Sequence, residues 1–264
     1  MEDEMKKILF CDMDGTIINK EGLLHEPDKV MLERYCQSPH LFAFNTGRNI
    51  EEALRATSEF DLPYDYLVLN NGAHIVDRHG NEIFKRVIEK QVGVDIIEHC
   101  LQYSDMWIQY FDGKNTIVYF NGQTYEYGNS GFVQTDRFDF IKEYKNVEEF
   151  DIIAINQDNE GIDEVLKIQK YIQDNYASVA HGTLNTHYLD ITPSDCTKGT
   201  GITSLVELLE EDVVSYAIGD SYNDISMFEH ADHGYTFNHV GDEIKQHSDK
   251  QVDYLEELLD EMLK

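Results

Sequence analysis

Four apolar runs in this chain each stop at a short polar cluster, and the first of them constrains the fold most. Ile8-Leu9-Phe10-Cys11 reads as a buried strand and runs directly into Asp12-Met13-Asp14-Gly15-Thr16. In an open α/β sheet, ligands bind beyond the carboxyl ends of the strands. Residues i and i+2 of a strand point to the same side, so Asp12 and Asp14 converge on one site. Gly15 lets the backbone turn sharply out of the strand and turns its amides toward an anion.

The other three clusters supply what the first lacks. Leu41-Phe42-Ala43-Phe44-Asn45 leads into Thr46-Gly47-Arg48, a hydroxyl and a small-residue turn ahead of a helix that starts near Ile50. Helix N-termini hold anions. Lys198-Gly199 follows the loop Thr192 to Thr197 and opens the helical pattern Ile202, Leu205, Val206, Leu208, Leu209. A lysine there is a movable positive charge for a phosphate or for crowded carboxylates. Val213 to Ile218 leads into Gly219-Asp220-Ser221-Tyr222-Asn223-Asp224, which adds two acids and an amide. Oxygen-rich sites of this kind bind Mg²⁺. Asp12, Asp14, Asp220 and Asp224 brought together repel one another; a divalent cation and Lys198 would turn that cluster into an electrophilic cradle for a phosphoryl group.

In this order the four motifs resemble those of the haloacid dehalogenase superfamily, the Cof-like phosphatase branch in particular, from about Ile8 to Asn238. The resemblance implies an α/β fold, a Rossmann-like parallel-sheet core with an inserted α+β cap domain. It implies a Mg²⁺-dependent hydrolase that removes phosphate from a small phosphorylated metabolite, a sugar phosphate or phosphorylated cofactor, through an aspartyl phosphate. Asp12 is then the nucleophile, and Asp14 the acid that protonates the leaving oxygen and later the base that activates water. Thr46, the amides of Met13 and Gly47, and Asn223 hold the phosphate, and Lys198 neutralises charge on it and on Asp12. The Asp12 and Asp220 side chains with the Asp14 main-chain carbonyl hold Mg²⁺, while Asp224 acts on Lys198 or on metal-bound water. Asn70-Asn71-Gly72-Ala73 matches a pattern of the same branch, which makes Asn71 a candidate substrate contact, with Arg48 another. One stretch departs: Gly234-Tyr-Thr-Phe-Asn-His-Val240 stands where the branch carries an apolar-Met-small-Asn-Ala turn. Asn238 is kept, and the bulky Tyr235, Phe237 and His239 alter the packing of this loop rather than the chemistry. Two other readings share the core: a phosphotransferase or mutase, in which Asp12 hands its phosphoryl group to another hydroxyl, and a non-catalytic phosphometabolite sensor. The sensor would most naturally accompany loss of Asp12 or Asp14, and both are present.

Strand and helix signals alternate to about Val76, as in a parallel sheet with crossover helices. Hairpin signals then appear around Asp77-Arg-His-Gly-Asn81 and Asp112-Gly113. Helical periodicity recurs at Val92 to Leu101 and Ile162 to Ile172. This predicts a core of residues 1–82 and 188–264, resuming at the strand Tyr188 to Ile191, and a separate α+β module of 83–187, which the resemblance implies is the cap that governs specificity. Aromatics are dense in the cap, at Tyr103, Trp107, Tyr110, Phe111, Tyr119, Phe120, Tyr125 and Tyr127, and are expected to pack its sheet against its helices. Asn121 to Gly131 reads as a mobile polar loop, and His181 and His187 as surface histidines.

The balance of 21 basic against 51 acidic residues gives a net charge of −30, which disfavours nucleic acid and anionic lipid as partners. An anionic substrate must approach against this field, so cation and lysine have to reverse it locally. With no apolar stretch of membrane-spanning length and a polar amino terminus, a cytoplasmic protein without membrane association is expected, as a monomer or weak homodimer. Cys11, Cys36, Cys100 and Cys196 are widely spaced, with no Cys-x-x-Cys, and are read as reduced, mostly buried thiols.

Overall fold

The structure, a computed structural model, describes residues 5–128, 131–158 and 161–264. The chain divides into two compact units, Met1–Lys85 with Thr197–Lys264, and Arg86–Cys196. The first unit begins with β1 (Lys6–Cys11), α1 (Glu26–Tyr35), β2 (Leu41–Asn45), α2 (Ile50–Phe60), β3 (Tyr66–Leu69), β4 (His74–Asp77) and β5 (Glu82–Lys85). The second unit comprises β6 (Ile88–Glu89), α3 (Lys90–Cys100), β7 (Met106–Phe111), β8 (Thr116–Phe120), β9 (Gln123–Gly128), β10 (Gly131–Gln134), α4 (Phe140–Glu143), β11 (Glu149–Phe150), β12 (Ile152–Gln157), α5 (Asp163–Tyr176), β13 (Ala180–Asn185) and β14 (Tyr188–Pro193). The chain returns to the first unit with α6 (Lys198–Leu208), β15 (Val213–Ile218), α7 (Ile225–His230), β16 (His233–Phe237), α8 (Asp242–Lys245), β17 (Lys250–Val252) and α9 (Leu255–Met262).

The first unit is built on one sheet in the order β17-β16-β15-β1-β2-β3-β4-β5. Its strands from β17 to β3 pair in parallel, and β4 and β5 extend it as an antiparallel edge. Side chains of β1 alternate between two cores. Leu9 and Cys11 pack with Leu32, Ala53 and Leu258 from α1, α2 and α9, while Ile8 and Phe10 pack with Ile202 and Met227 from α6 and α7. Because both faces are covered, the strand reads as a continuous apolar run instead of an alternating one. The chain leaves β1 for β2 on one side and adds the late strands on the other, so β1 lies where the strand order reverses. The carboxyl end at that reversal is where such sheets leave a crevice.

Two boundaries differ from those expected. The hairpin of β4 and β5 belongs wholly to the first unit, with Ile83 and Phe84 packed against its core, so the first segment reaches Lys85 and not residue 82. The strand at Tyr188 does not resume the core. It pairs antiparallel with β12 and β13, and Leu189 and Ile191 lie in the second unit's apolar core, so the return to the first unit comes at Thr197.

The second unit carries a fully antiparallel sheet in the order β10-β9-β8-β7-β12-β14-β13 and a short pair, β11-β6. One sheet face buries Ile108, Tyr110, Ile117, Ile153 and Ile155 against Ile96, Ile97, Val165 and Ile168 of α3 and α5. The expected aromatic packing holds for Tyr103, Tyr110 and Tyr119, which join this core. It fails for Trp107, one residue out of phase with Ile108, and for Phe120 and Tyr125. These form a separate half-buried ring cluster, with Phe132 5.3 Å and Tyr125 5.6 Å from Trp107. Asn121 to Gly131 is likewise not a loop: Gln123–Gly128 is β9, its Tyr125 and Tyr127 supplying the alternation and β-propensity that outweigh the polar neighbours, and residues 129–130 lie outside the described set. His181 lies on β13, where burial lowers its pKa, and His187 sits in the β13–β14 turn against Tyr188. The four cysteines are free, and no helix of the described residues is long and apolar enough to cross a membrane. Residues 1–4, at the start of the polar amino terminus, lie outside the described set.

Candidate active site

Parallel pairing of β1 with β15 sets Cys11 opposite Ile218, so the two strands deliver Asp12 and the Gly219–Asp224 cluster side by side. The Asp12 amide donates to the Ile218 carbonyl at 3.0 Å, which holds the acid at the sheet end. Gly15 follows with φ +86°, and a Cβ there would enter the Asp220 carboxylate. Gly219 meets a similar limit, since a Cβ at that position would strike the Asp224 carboxylate. Glycine at both turns is what allows the two acidic loops to approach so closely.

Lys198 is the first residue of α6, placed there by Thr197, whose hydroxyl accepts from the Thr200 amide at 3.1 Å. Its backbone carbonyl accepts from Asn45 Nδ2 at 2.8 Å, which ties the helix start to the end of β2. Lys198 Nζ donates to Asp12 Oδ1 and to Asp224 Oδ1, each at 2.6 Å, with the lysine side chain 1% exposed. Asp224 Oδ2 accepts from the amides of Asp220 and Ser221 at 2.9 and 2.8 Å. Both Asp224 oxygens are thus committed, which makes it the residue that orients Lys198 and shapes the Asp220 turn.

Burial alone would lower the Lys198 pKa, but Asp12 and Asp224 raise it above its ordinary value and keep the ammonium charged. One ammonium does not compensate Asp12, Asp220 and Asp224 together. Burial, reinforced by the neighbouring acids against the pull of Lys198, pushes Asp12 well above the usual carboxylate range. Burial and Asp224 push Asp220 up to about 6. Carboxylate oxygens of Asp12, Asp220 and Asp224 lie within 4.8 Å of one another, and Asp220 Oδ1 is buried without a hydrogen-bond partner among the described residues. Hard oxygen donors, unbalanced negative charge and an orphaned carboxylate oxygen fit a divalent cation between Asp12 and Asp220. Lys20 Nζ, 3.9 Å from Asp220 Oδ2, is exposed and balances that acid only weakly.

The remaining expected residues fall around this centre. The Met13 side chain is buried in the apolar core, so any phosphate contact it makes is through its backbone. Thr46 is buried; its hydroxyl accepts from the Arg48 amide at 3.2 Å and its carbonyl from the Asn71 amide at 3.0 Å. Gly47 bridges Thr46 and Arg48 just ahead of the capping box that starts α2 at Asn49. Asn223 Nδ2 lies 3.3 Å from Asn71 Oδ1, which joins the fourth cluster to the Asn70-Asn71 turn. Asp14 turns outward, and Arg48 grips it through Nε to Oδ2 at 2.8 Å and Nη2 to Oδ1 at 2.6 Å. Two residues escaped the sequence reading. Asn45 reads as the last position of an apolar strand, yet it anchors Lys198. Asn70 has φ +52° and a fully buried side-chain amide with no partner among the described residues, and only the Asn-Asn-Gly run hinted at left-handed backbone there. In the departing loop, Tyr235 and Phe237 turn into the core, Thr236 Oγ1 donates to the Gly219 carbonyl at 2.7 Å at the head of the fourth cluster, and Asn238 Nδ2 donates to Asp253 Oδ1 at 2.8 Å.

The chain is similar to known proteins over nearly its whole length. A 5-amino-6-(5-phospho-D-ribitylamino)uracil phosphatase of Bacillus subtilis is 24% identical over 270 residues, covering 92% of this chain and 91% of its own. A haloacid dehalogenase-like hydrolase of Bacteroides thetaiotaomicron superposes with a TM-score of 0.73 at 16% identity, covering 97% and 99% of the two chains. A HAD subclass IIB sugar phosphatase superposes with a TM-score of 0.76 at 19% identity, again over 97% and 99%. The profile of the haloacid dehalogenase-like hydrolases matches residues 9–257. With two acidic loops meeting one buried lysine at the reversal of a parallel sheet, and this match over nearly its whole length, the chain belongs to the haloacid dehalogenase-like hydrolase family, in its Cof-like branch.

Proposed function

We propose that the protein is a Mg²⁺-dependent phosphatase of small polyhydroxylated phosphate esters, acting through an aspartyl phosphate on Asp12. The observation that carries this is the Lys198 ammonium bound at 2.6 Å to both Asp12 and Asp224 at the strand ends. An Asp12 carboxylate oxygen forms a bond to phosphorus, and the ester P–O bond breaks with its electron pair passing to the leaving oxygen. That oxygen takes a proton from Asp14. Asp14, now a carboxylate, removes a proton from water, which attacks phosphorus and restores the Asp12 carboxylate with release of inorganic phosphate. Lys198 offsets the charge that gathers on the phosphoryl oxygens, and Thr46, Asn223 and the Met13 and Gly47 amides hold those oxygens. Asp12 and Asp220, with the Asp14 main-chain carbonyl, would hold Mg²⁺, whose charge neutralises the transferring group. The substrate class follows the named relatives, a sugar phosphatase and a phosphatase of a ribityl phosphate. Selection among such esters is assigned to the second unit, the proposed cap.

The metal assignment makes a paired prediction. Phosphate release from a panel of sugar and polyol phosphates is expected with Mg²⁺ and is expected to vanish on exhaustive chelation; undiminished turnover would refute it. Without metal, the raised Asp220 pKa makes a contribution to stability that is present below about pH 4 and lost as pH rises through about 6. The difference from the ordinary value is on the order of 3 kcal/mol. Mg²⁺ should therefore raise the melting temperature by several degrees at pH 7.5 and barely at pH 4.5. Equal shifts at both pH values would remove Asp220 from the site.

A further inference from the structure

We infer that Arg48 is the positioning residue for the Asp14 carboxyl group, an inference that rests on the phosphatase reading above. Three features carry it. The guanidinium meets both Asp14 oxygens, at 2.6 and 2.8 Å, the bidentate geometry that fixes a carboxylate in direction as well as distance. The backbone of Arg48 is fixed on both sides: its amide donates to the Thr46 hydroxyl at 3.2 Å and its carbonyl accepts from the Asn70 amide at 3.0 Å. Its remaining nitrogen, Nη1, reaches the Glu52 carbonyl in the first turn of α2 at 3.4 Å, which pins the fork to the helix. Asp14 itself has a side chain 54% exposed, on a turn whose glycine neighbour adds no side-chain packing. An exposed carboxylate of this kind samples several rotamers, and loss of its orienting partner removes it from the leaving oxygen for much of the time. Arg48 thereby connects the phosphate-binding turn at Thr46 with the proton donor. Its role is to aim Asp14, distinct from the substrate contact considered for it on sequence grounds.

Leaving groups separate the two roles. An alkyl phosphate must be protonated as it departs, whereas nitrophenolate leaves without a proton. For either ester kcat/KM reports events up to phosphoryl transfer to Asp12, so the common hydrolysis step cancels. Arg48→Met is expected to lower kcat/KM for a sugar or glycerol phosphate on the order of 10–100-fold, a part of what a general acid contributes. For p-nitrophenyl phosphate the loss should be at least tenfold smaller. Arg48→Lys, which keeps the charge but loses the fork, should fall between. Melting temperatures within a few degrees of wild type would show that the variants are folded. Equal losses on both esters would mean that Arg48 binds the phosphate, and no loss on either would make it a surface ion pair; each overturns the inference while wild-type turnover leaves the phosphatase reading intact. Wild-type inactivity on every ester would instead overturn the phosphatase reading and this inference with it.

Discussion

Asp12→Asn is expected to reduce phosphate release by a factor of at least about 10³, because an amide offers no carboxylate to attack phosphorus. The substitution changes little else. Asn is isosteric with Asp, and Lys198 keeps its 2.6 Å contact with Asp224, so no unpaired buried charge is created. The substitution also removes a carboxyl group whose charged form burial disfavours. The variant should melt no lower than the wild type in the absence of metal. Phosphate release from p-nitrophenyl phosphate, read beside a thermal melt, checks both statements, and a variant that retains more than a tenth of wild-type activity would displace Asp12 as nucleophile.

Lys198→Met is expected to be both inactive and unstable, for one reason. The ammonium is the only cation within hydrogen-bonding distance of Asp12 or Asp224 among the described residues, and all three side chains are almost completely buried. Removing one partner from such a group leaves uncompensated buried charge, at about 3–5 kcal/mol. The penalty has a definite pH dependence. Burial already holds the Asp12 pKa high, and Lys198 is what pulls it down, so its removal raises it further. A carboxyl group with a raised folded-state pKa contributes stability at low pH that is lost as pH rises through that value. The deficit of Lys198→Met should therefore be largest at pH 7.5 and shrink toward pH 5, and Mg²⁺ should restore part of it at the higher pH. Urea unfolding at both pH values provides the comparison, and a deficit independent of pH would mean that Lys198 acts by packing alone.

The centre of the site was legible in the sequence because each part of it sits at a chain position that local chemistry marks. Apolar runs end at Cys11, Asn45 and Ile218, and the sheet aligns those ends by its parallel registers, so residues far apart in sequence converge without any long-range signal being read. Lys198 was marked by the helical periodicity that begins with it. What was not legible depended on which sheet a strand joins. Tyr188–Pro193 carries apolar residues at Leu189 and Ile191 that suit a core strand of either unit, and only pairing with Ile155 and Ile153 of β12 assigns it. The aromatics of the second unit present the same difficulty. Trp107 and Tyr110 are both large β-formers, and only their register relative to the helices α3 and α5 decides that Tyr110 is buried among them while Trp107 joins the rings of Tyr125 and Phe132. Asn45 and Asn70 act through backbone groups of distant segments or through left-handed backbone, neither of which a side-chain pattern reveals.

In the proposed chemistry the phosphoryl group resides covalently on Asp12, and Asp14→Asn isolates that state. With p-nitrophenyl phosphate and Mg²⁺ this variant needs no acid to expel nitrophenolate but lacks the base that activates water. It should give a burst of nitrophenolate equal to the enzyme concentration, followed by slow turnover, and mass spectrometry of the quenched protein should place the phosphoryl group on the peptide bearing Asp12. Steady phosphate release without a burst, or a phosphoryl group on any other residue, would contradict the account.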